Sequence, residues 1–457
     1  METELVRSGY FWIPNLPNDK VPGTLTIGQG GLIELELVGG FADANRMGGQ
    51  EEFSRLLGSI EKEAYVTLED CFYIARNVSF GGISKSRLRV GMVFGGVQYS
   101  HLEKPTFNSL SFSTDLLDEW VGISGIKADS NLLGKSTIEY LPPKPIPFSL
   151  PNGMNMEIAF HYSLPGTGYI TEAVIRQKTF IKLSSSEELP LEVFLNVAKR
   201  LNNFLCFAVD QTLSLKDVTA TSPRILYNPD EPKYLLPIKI YYPSLPHSEK
   251  QPRSHWRSML FSYRIIKDNA DEVLNKWFTT YELIEPAINL YFSTKAGGHT
   301  YLESKFLALA QGLETYHRRT SDEALMSDDA YNSLVQQILG NCPEGHEEWL
   351  EGRLSQGNSL SFYQRLVKII RPFGVYFGNS SARSSLARKI SLTRNYLTHY
   401  NKDLEADAAS GDQLYELCNK MEALFQLHFL QIIGFTQGEL KELVDGTGPL
   451  RHRLNQS

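Results

Sequence analysis

The sequence is poor in cysteine and lacks a long apolar run. Its four cysteines stand far apart and form no CxxC pair, a pattern that excludes a disulfide scaffold and the common zinc motifs. No apolar stretch approaches the ~20 residues that a membrane-spanning helix needs. The charged first residues, followed early by Pro14 and Pro17, are not typical of a signal peptide. These absences predict a cytoplasmic protein with reduced thiols and no membrane association.

Acidic residues are missing from one long segment. The 457-residue chain has 52 Asp and Glu and a net charge of −7, yet no acid lies between Gly352 and Lys402, which we call the acid-free segment. Nine cations do lie there: Arg353, Arg365, Lys368, Arg371, Arg383, Arg388, Lys389, Arg394 and Lys402. Because the whole chain is acidic, contact with a polyanion must be local. The acid-free segment therefore predicts a local polyanion-binding surface.

Residues 1–245 are predicted to be rich in β-strands. In Leu32–Leu37 the apolar and acidic side chains alternate, which indicates a strand with one buried face. Similar short segments follow, at 71–78, 88–99, 155–163, 169–183 and 234–242. One helix, from Pro190 to Ala208, interrupts them with apolar residues at helical spacing. We expect a twisted or barrel-like antiparallel assembly with a helix packed on it.

The pattern changes after the proline-rich stretch 243–253, which marks the predicted domain boundary. Residues 256–457 are predicted to be an all-α bundle, with helices near 271–292, 300–319, 327–340, 361–371, 384–399 and 413–433. Ser361 and Gln364 have the spacing of a capping box. The predicted fold class is therefore α+β with two domains, the second wholly helical.

The acid-free segment closes on Arg394, Asn395 and His399. Metal-independent RNA cleavage needs a proton acceptor for the 2′-OH, a proton donor for the leaving oxygen, and positive charge on the phosphate. Histidine can do either proton transfer, and arginine can bind phosphate oxygens. The spacing alone is common, and its place at the end of the acid-free segment distinguishes it. These three residues are the candidate catalytic residues, and the chemistry predicts neither a metal nor a cofactor.

Other residues are candidates for support or RNA binding. Glu314 can pair with His317 or Arg318 along a helix, either beside the Arg394–His399 site or as an ordinary solvated helix end. Four cations are expected to bind the RNA backbone without doing chemistry: Arg383, Arg388, Lys389 and Lys402. Tyr400 is a further candidate for a supporting or RNA-binding role. Cys342 and His346 lack the further ligands that a structural zinc requires.

The residues Arg394-Asn395-x-x-x-His399 resemble the motif of the HEPN superfamily of helical-bundle ribonucleases. A wider series of segments is similar to ApeA-type anti-phage proteins: Gly9–Pro14, Val21–Leu25, Leu201–Leu205, and Phe306–Glu314 with His317 and Arg318. This resemblance covers nearly the whole chain. It implies a β-rich N-terminal sensor or regulatory region and a C-terminal HEPN domain.

The resemblance also implies an endoribonuclease that acts in abortive infection, with tRNA among the expected substrates and a phage-derived trigger. It implies a homodimer that brings two motifs into one cleft. The alternative is a catalytically silent HEPN module that binds RNA, a nucleotide or a protein partner. The basic acid-free segment is consistent with both, and multiple-turnover cleavage in EDTA would separate them.

Overall fold

A computed structural model divides the chain into two compact units, residues 1–278 and 279–457. The structure describes residues 5–41, 52–77, 82–130, 134, 136–167, 171–228, 234–243, 252, 255, 258–295, 301–446 and 448–455. The first unit contains all the strands that these residues form, and helices dominate the second. The chain is therefore α+β, with a β-rich N-terminal region followed by a helical one.

Six strands of the first unit close into an antiparallel barrel. They are β1 (Leu5–Trp12), β2 (Val21–Ile27), β3 (Ile33–Val38), β4 (Glu52–Ile60), β5 (Ala64–Asn77) and β6 (Lys85–Gly95). The order runs β6-β3-β2-β1-β4-β5, and β5 pairs again with β6 to complete the ring. The alternating apolar side chains predicted for Leu32–Leu37 do point inward: Ile33, Leu35 and Leu37 are fully buried in the barrel core. Closure leaves these strands no free edge.

The sheet continues beyond the barrel through β6. The further strands are β7 (Thr106–Thr114), β10 (Ile146–Ser149), β11 (Asn155–Ser163), β12 (Arg176–Pro190), β13 (Leu215–Thr221) and β14 (Ile238–Tyr241). Their order is β10-β11-β12-β7-β13-β14, with β14 paired to β6. A separate hairpin joins β8 (Ile126–Ser130) to β9 (Ser136–Tyr140). The short helix α1 (Leu117–Val121) and the predicted helix α2 (Leu191–Val209) complete this part, and most of α2 is buried.

The division between the units falls later in the chain than the boundary predicted at 245–256. Aromatic side chains that follow the proline-rich stretch pack on α2 in the first unit. Phe261 contacts Phe204, with ring centroids 5.9 Å apart, and Trp277 stacks on Phe207 at 6.1 Å. Most of residues 243–253 lie outside the described residues. The boundary predicted from the prolines thus precedes the end of the first packed unit.

Helices α3 (Tyr263–Ile266) and α4 (Ala270–Ser293) follow, and α4 crosses into the second unit. The remaining helices are α5 (Leu302–Thr320), α6 (Asp328–Leu339), α7 (Glu347–Leu354), α8 (Phe362–Ile370), α9 (Ser380–His399), α10 (Gly411–Ile432), α11 (Gln437–Asp445) and α12 (Pro449–Leu454). α5 packs against α8, α9 and α10. Among the described residues, no helix is long and apolar enough to cross a membrane.

The core of the second unit is built around α10, which is buried along most of its length. Its Phe425 and Phe429 contact Tyr291 of α4, with ring centroids 5.3 and 5.9 Å apart. α8 joins this core through a strongly amphipathic face that contains Phe362, Leu366 and Ile369. The predicted capping box fixes its start, because Ser361 and Gln364 bond each other's backbone N–H groups.

We expect a buried histidine of α10 to make this fold sensitive to acid. His428 Nε2 lies 2.9 Å from the Ile369 carbonyl oxygen, and Nδ1 lies 3.3 Å from the Tyr316 hydroxyl. Burial lowers the pKa of His428 to about 4, whereas an unfolded histidine titrates near ~6.5. Between pH 4 and pH ~6.5 the unfolded chain binds a proton at His428 that the folded chain does not. The stabilisation is therefore complete above pH ~6.5 and is lost as the pH falls towards 4, by up to ~3 kcal/mol.

Chemical unfolding at several pH values between 7 and 4.5 tests this expectation. A His428→Gln variant should be less stable at pH 7 because the two buried contacts change, but its stability should fall less steeply with acid. The exposed His346 provides the matched control, because His346→Gln should keep the steep dependence. Equal pH slopes for the wild type and His428→Gln would contradict the assignment.

Candidate active site

Helix α9 presents the three candidate catalytic residues. Asn379 caps its start by accepting a hydrogen bond from the Ala382 backbone N–H. Ala387, Ile390, Thr393 and Leu397 form its buried face. Arg394 and Asn395 lie at the margin of this face and are partly exposed, whereas His399 is exposed at the last helical position. The local sequence thus fixes the helix in one orientation and leaves these three side chains accessible from solvent.

The buried threonine of α9 fixes the position of that helix against the following loop. The Thr393 hydroxyl accepts a hydrogen bond from the Ala409 backbone N–H at 2.9 Å. One turn later the Thr398 hydroxyl donates to the Arg394 carbonyl oxygen at 2.7 Å. On a regular helix, Arg394 and His399 are separated by ~7.5 Å along the axis and about 140° around it. A site that uses both residues therefore depends on where the long Arg394 side chain is directed.

Glu314 and Phe362 direct the Arg394 side chain. Nη2 of Arg394 lies 3.6 Å from Glu314 Oε2, and the guanidinium carbon lies 4.7 Å from the centroid of the Phe362 ring. An aromatic face attracts a cation, so the two contacts act together. The Arg394 side chain keeps 28% of its surface exposed. The guanidinium is thus held between helices α5 and α8 and remains open to an anion.

Glu314 forms ion pairs with two arginines, Arg318 and Arg394. Its Oε1 accepts from Arg318 Nη2 at 2.9 Å and from Nε at 3.2 Å, while its other oxygen faces Arg394. Of the two pairings predicted along α5, the structure has Glu314 with Arg318. The predicted residues Glu314, Arg318 and Arg394 therefore form one cluster, in which a single carboxylate faces two cations. A phosphate placed there would meet an excess of positive charge.

His317 lies inside the helical unit and not at its surface. It is 6% exposed, and its Nδ1 lies 3.1 Å from Nη1 of Arg365, which is 4% exposed. Burial, reinforced by the Arg365 charge, lowers the pKa of His317. The neutral ring therefore accepts a hydrogen bond from Arg365, whose Nε donates to the Leu360 carbonyl oxygen at 3.1 Å. This placement gives His317 a supporting role in the packing of α5 on α8.

The four cations expected to bind the RNA backbone divide into two classes. Arg383 donates to the carbonyl oxygens of Gly374 and Gly378 at 3.2 and 3.0 Å, and Lys389 donates to that of Asp407 at 2.7 Å. These two side chains hold loops of their own domain. Arg388 and Lys402 are exposed, and neither side chain has a hydrogen-bond or ion-pair partner among the described residues. They are the better candidates for contacts with an RNA backbone.

Tyr400 ends α9 and completes the exposed group. Its side chain is 66% exposed and lies next to His399 in the sequence. Its ring meets that of Tyr396 edge to face, with centroids 5.5 Å apart. Reasoning from the sequence missed two features of the site: the Phe362 ring beside Arg394, and the burial of Arg365, which it counted among the surface cations. The burial of both side chains could be predicted from the sequence, because Phe362 and Arg365 lie on the buried face of the capped helix α8.

Comparisons with known families cover both units. A family model described as ApeA N-terminal domain 1 matches residues 6–277. A second, described as Apea-like HEPN, matches residues 307–439, which include Glu314, Arg394, Asn395 and His399. Searches of curated proteins and of solved structures found no match. The first model alone spans more than half of the chain.

Proposed function

Because the chain belongs to the ApeA family of anti-phage proteins and carries a C-terminal HEPN domain, we propose that it is an endoribonuclease that cleaves RNA at Arg394, Asn395 and His399. The observation that carries this proposal is the arrangement at the end of α9. Arg394 is held open to an anion by Glu314 and Phe362, and His399 is exposed on the same helix. Both residues belong to the acid-free segment, which carries nine cations and no acid.

The proposed reaction is an attack of the RNA 2′-OH on the neighbouring phosphate. One imidazole removes the 2′-OH proton as the new bond from the 2′-oxygen to phosphorus forms. A proton donor gives a proton to the 5′-oxygen as its bond to phosphorus breaks. Arg394 stabilises the extra negative charge of the five-coordinate phosphate, where its planar guanidinium can bind two oxygens. Asn395 orients His399 or the phosphate. The products carry 2′,3′-cyclic phosphate and 5′-OH ends, and the step uses no metal or cofactor.

Glu314 has a positioning role in this proposal. Without substrate it offsets the charges of Arg318 and Arg394, which would otherwise repel each other. When a phosphate enters, Arg394 needs to move only some of its N–H donors from the Glu314 carboxylate to the phosphate oxygens. The long 3.6 Å contact between Arg394 and Glu314 is suited to such an exchange.

Purified protein, RNA and EDTA test the proposal directly. Multiple-turnover cleavage that leaves cyclic phosphate ends would support it, and a mixture that includes tRNA would identify the first substrates. RNA binding without turnover would favour the alternative, a silent HEPN module. Expression with and without infection would then show whether a phage-derived trigger acts through the N-terminal region.

We expect the exposed cations to determine the salt dependence of RNA binding. Arg388 and Lys402 have no ion-pair partners among the described residues, so each can bind a phosphate and release a counterion. For single-stranded RNA each lost contact should flatten the slope of log K against log salt by ~0.7. The double variant Arg388→Gln and Lys402→Gln should therefore bind less tightly, with a slope smaller by about 1.4.

A matched control comes from the same segment. Arg383→Gln removes an equal type of charge from a side chain that bonds Gly374 and Gly378, so it should change the slope much less. Affinity is measured by fluorescence anisotropy at several salt concentrations. An unchanged slope in the double variant would show that these cations do not bind the RNA backbone.

A further inference from the structure

The residue after His399 adopts a backbone conformation that side chains rarely take. Tyr400 has φ 49° and ψ 37°, the left-handed region, and its N–H donates to the Tyr396 carbonyl oxygen at 2.6 Å. This geometry ends a helix well, but glycine or asparagine usually occupies the position because a Cβ is strained there. A bulky residue held in this conformation beside a candidate active site gives reason to look for a function.

Core packing does not account for the tyrosine at this position. The side chain is 66% exposed, so burial of the ring contributes little to stability. The edge-to-face contact with Tyr396, at 5.5 Å and 63°, fixes the direction of the ring without covering it. Tyr396 is itself placed beside Glu405: burial, and then this carboxylate, raise the pKa of Tyr396. The Tyr400 ring is thus supported from one side and open to solvent.

We propose that Tyr400 is a stacking platform for one unpaired base of the RNA, an inference that rests on the proposed function of Arg394 and His399. Every base has a face that can stack on an aromatic ring, and only an unstacked base can reach one. Tyr400 follows His399 directly, and the exposed Lys402 lies two residues further on. A base on Tyr400 would fix which phosphate faces Arg394 and His399, and it would make the enzyme select single-stranded over double-stranded RNA.

Two substitutions separate the ring from the backbone conformation. Tyr400→Gly removes the ring and relieves the left-handed strain, so the variant should unfold at the same temperature as the wild type or higher. Tyr400→Phe keeps the ring and should keep the binding. Tyr227, which is 75% exposed in the first unit, provides the matched control as Tyr227→Ala.

Binding is measured with short single-stranded RNA whose 2′-fluoro groups prevent the attack, so that the result does not depend on turnover. Tyr400→Gly should weaken binding by about 5- to 150-fold, the range for loss of one stacked base. Abasic sites are then placed at each position in turn. At one position, the missing base should weaken RNA binding by the wild type and by Tyr400→Phe. The same missing base should have little further effect on binding by Tyr400→Gly. This non-additivity is the coupling expected when the base contacts the Tyr400 ring directly.

The outcomes distinguish this proposal from the proposed function. Coupling at one base without any cleavage would support the platform and remove the ribonuclease assignment. Cleavage by the wild type with no coupled position, or no measurable RNA binding, would overturn the platform. An unchanged affinity combined with a shifted monomer–dimer equilibrium in Tyr400→Gly would also overturn it, because the ring would then serve contacts between copies of the chain.

Discussion

Replacing His399 by alanine is expected to abolish RNA cleavage and to leave the fold intact. A histidine that transfers a proton in the rate-limiting step contributes ~10²- to 10⁴-fold to the rate. His399 is exposed at the end of α9, so removing its side chain should eliminate few core contacts and change the stability little. Cleavage by the wild type and by the variant is measured in EDTA at equal protein concentration, with the thermal unfolding midpoint of each.

The exposed His346 gives the control for this prediction. His346→Ala removes the same side chain from the start of α7 and should cut RNA at the wild-type rate. A companion change, Arg394→Lys, keeps the charge but loses the planar fork that binds two phosphate oxygens, and should also lower the rate. Full activity of His399→Ala, or a strict requirement for a metal ion, would remove His399 from the chemistry.

Local sequence signals predicted the helices that frame the site. The capping box at Ser361 and Gln364 and the span of α10 are confirmed, because both depend on patterns within one helix. The sequence does not predict α7, because the eight residues of this helix carry no regular apolar period. α11 was missed although Thr436 and Glu439 form a capping box that was readable in the sequence.

Side-chain partners between distant segments were harder to predict. Spacing along α5 pairs His317 with Glu314, yet the partner of His317 in the structure is Arg365, 48 residues away. One signal was available: His317 follows the buried Leu313 by four residues and so shares its helical face. The contact between Arg394 and Phe362 is a tertiary one, and no local pattern contains it.

The barrel shows the same limit on a larger scale. Alternation within β3 predicted its inward face, because burial of one face leaves a period of two. Closure requires β6 to pair with both β3 and β5, and β6 also pairs with β14 outside the barrel, so its partners range from residue 33 to residue 241. Such pairings are selected by the fit of whole strands, and no single segment encodes them.

We propose that two copies of the helical unit form a symmetric dimer, in which one His399 removes the 2′-OH proton and the other protonates the leaving oxygen. A single protomer presents only one His399 at the end of α9, and a twofold axis brings the same surface of two copies together. The sequence predicts that this contact uses the apolar and aromatic surface around Phe362–Phe377 and Ser384–Tyr400. Much of that surface is instead used inside the fold, since Phe362, Phe373 and Phe377 are buried. Val367 and Val375 stay exposed, at 40% and 79%.

Mixing of subunits tests the composite site quantitatively. When equal amounts of wild type and His399→Ala exchange subunits completely, about a quarter of the dimers should carry two histidines. If both are required, activity at fixed total protein should fall to about a quarter of the wild-type value, whereas independent protomers would retain about half. Light scattering with bound RNA measures the assembly, and the same mixture with His346→Ala should lose no activity. A monomer that still cuts RNA would show that each site is complete within one chain.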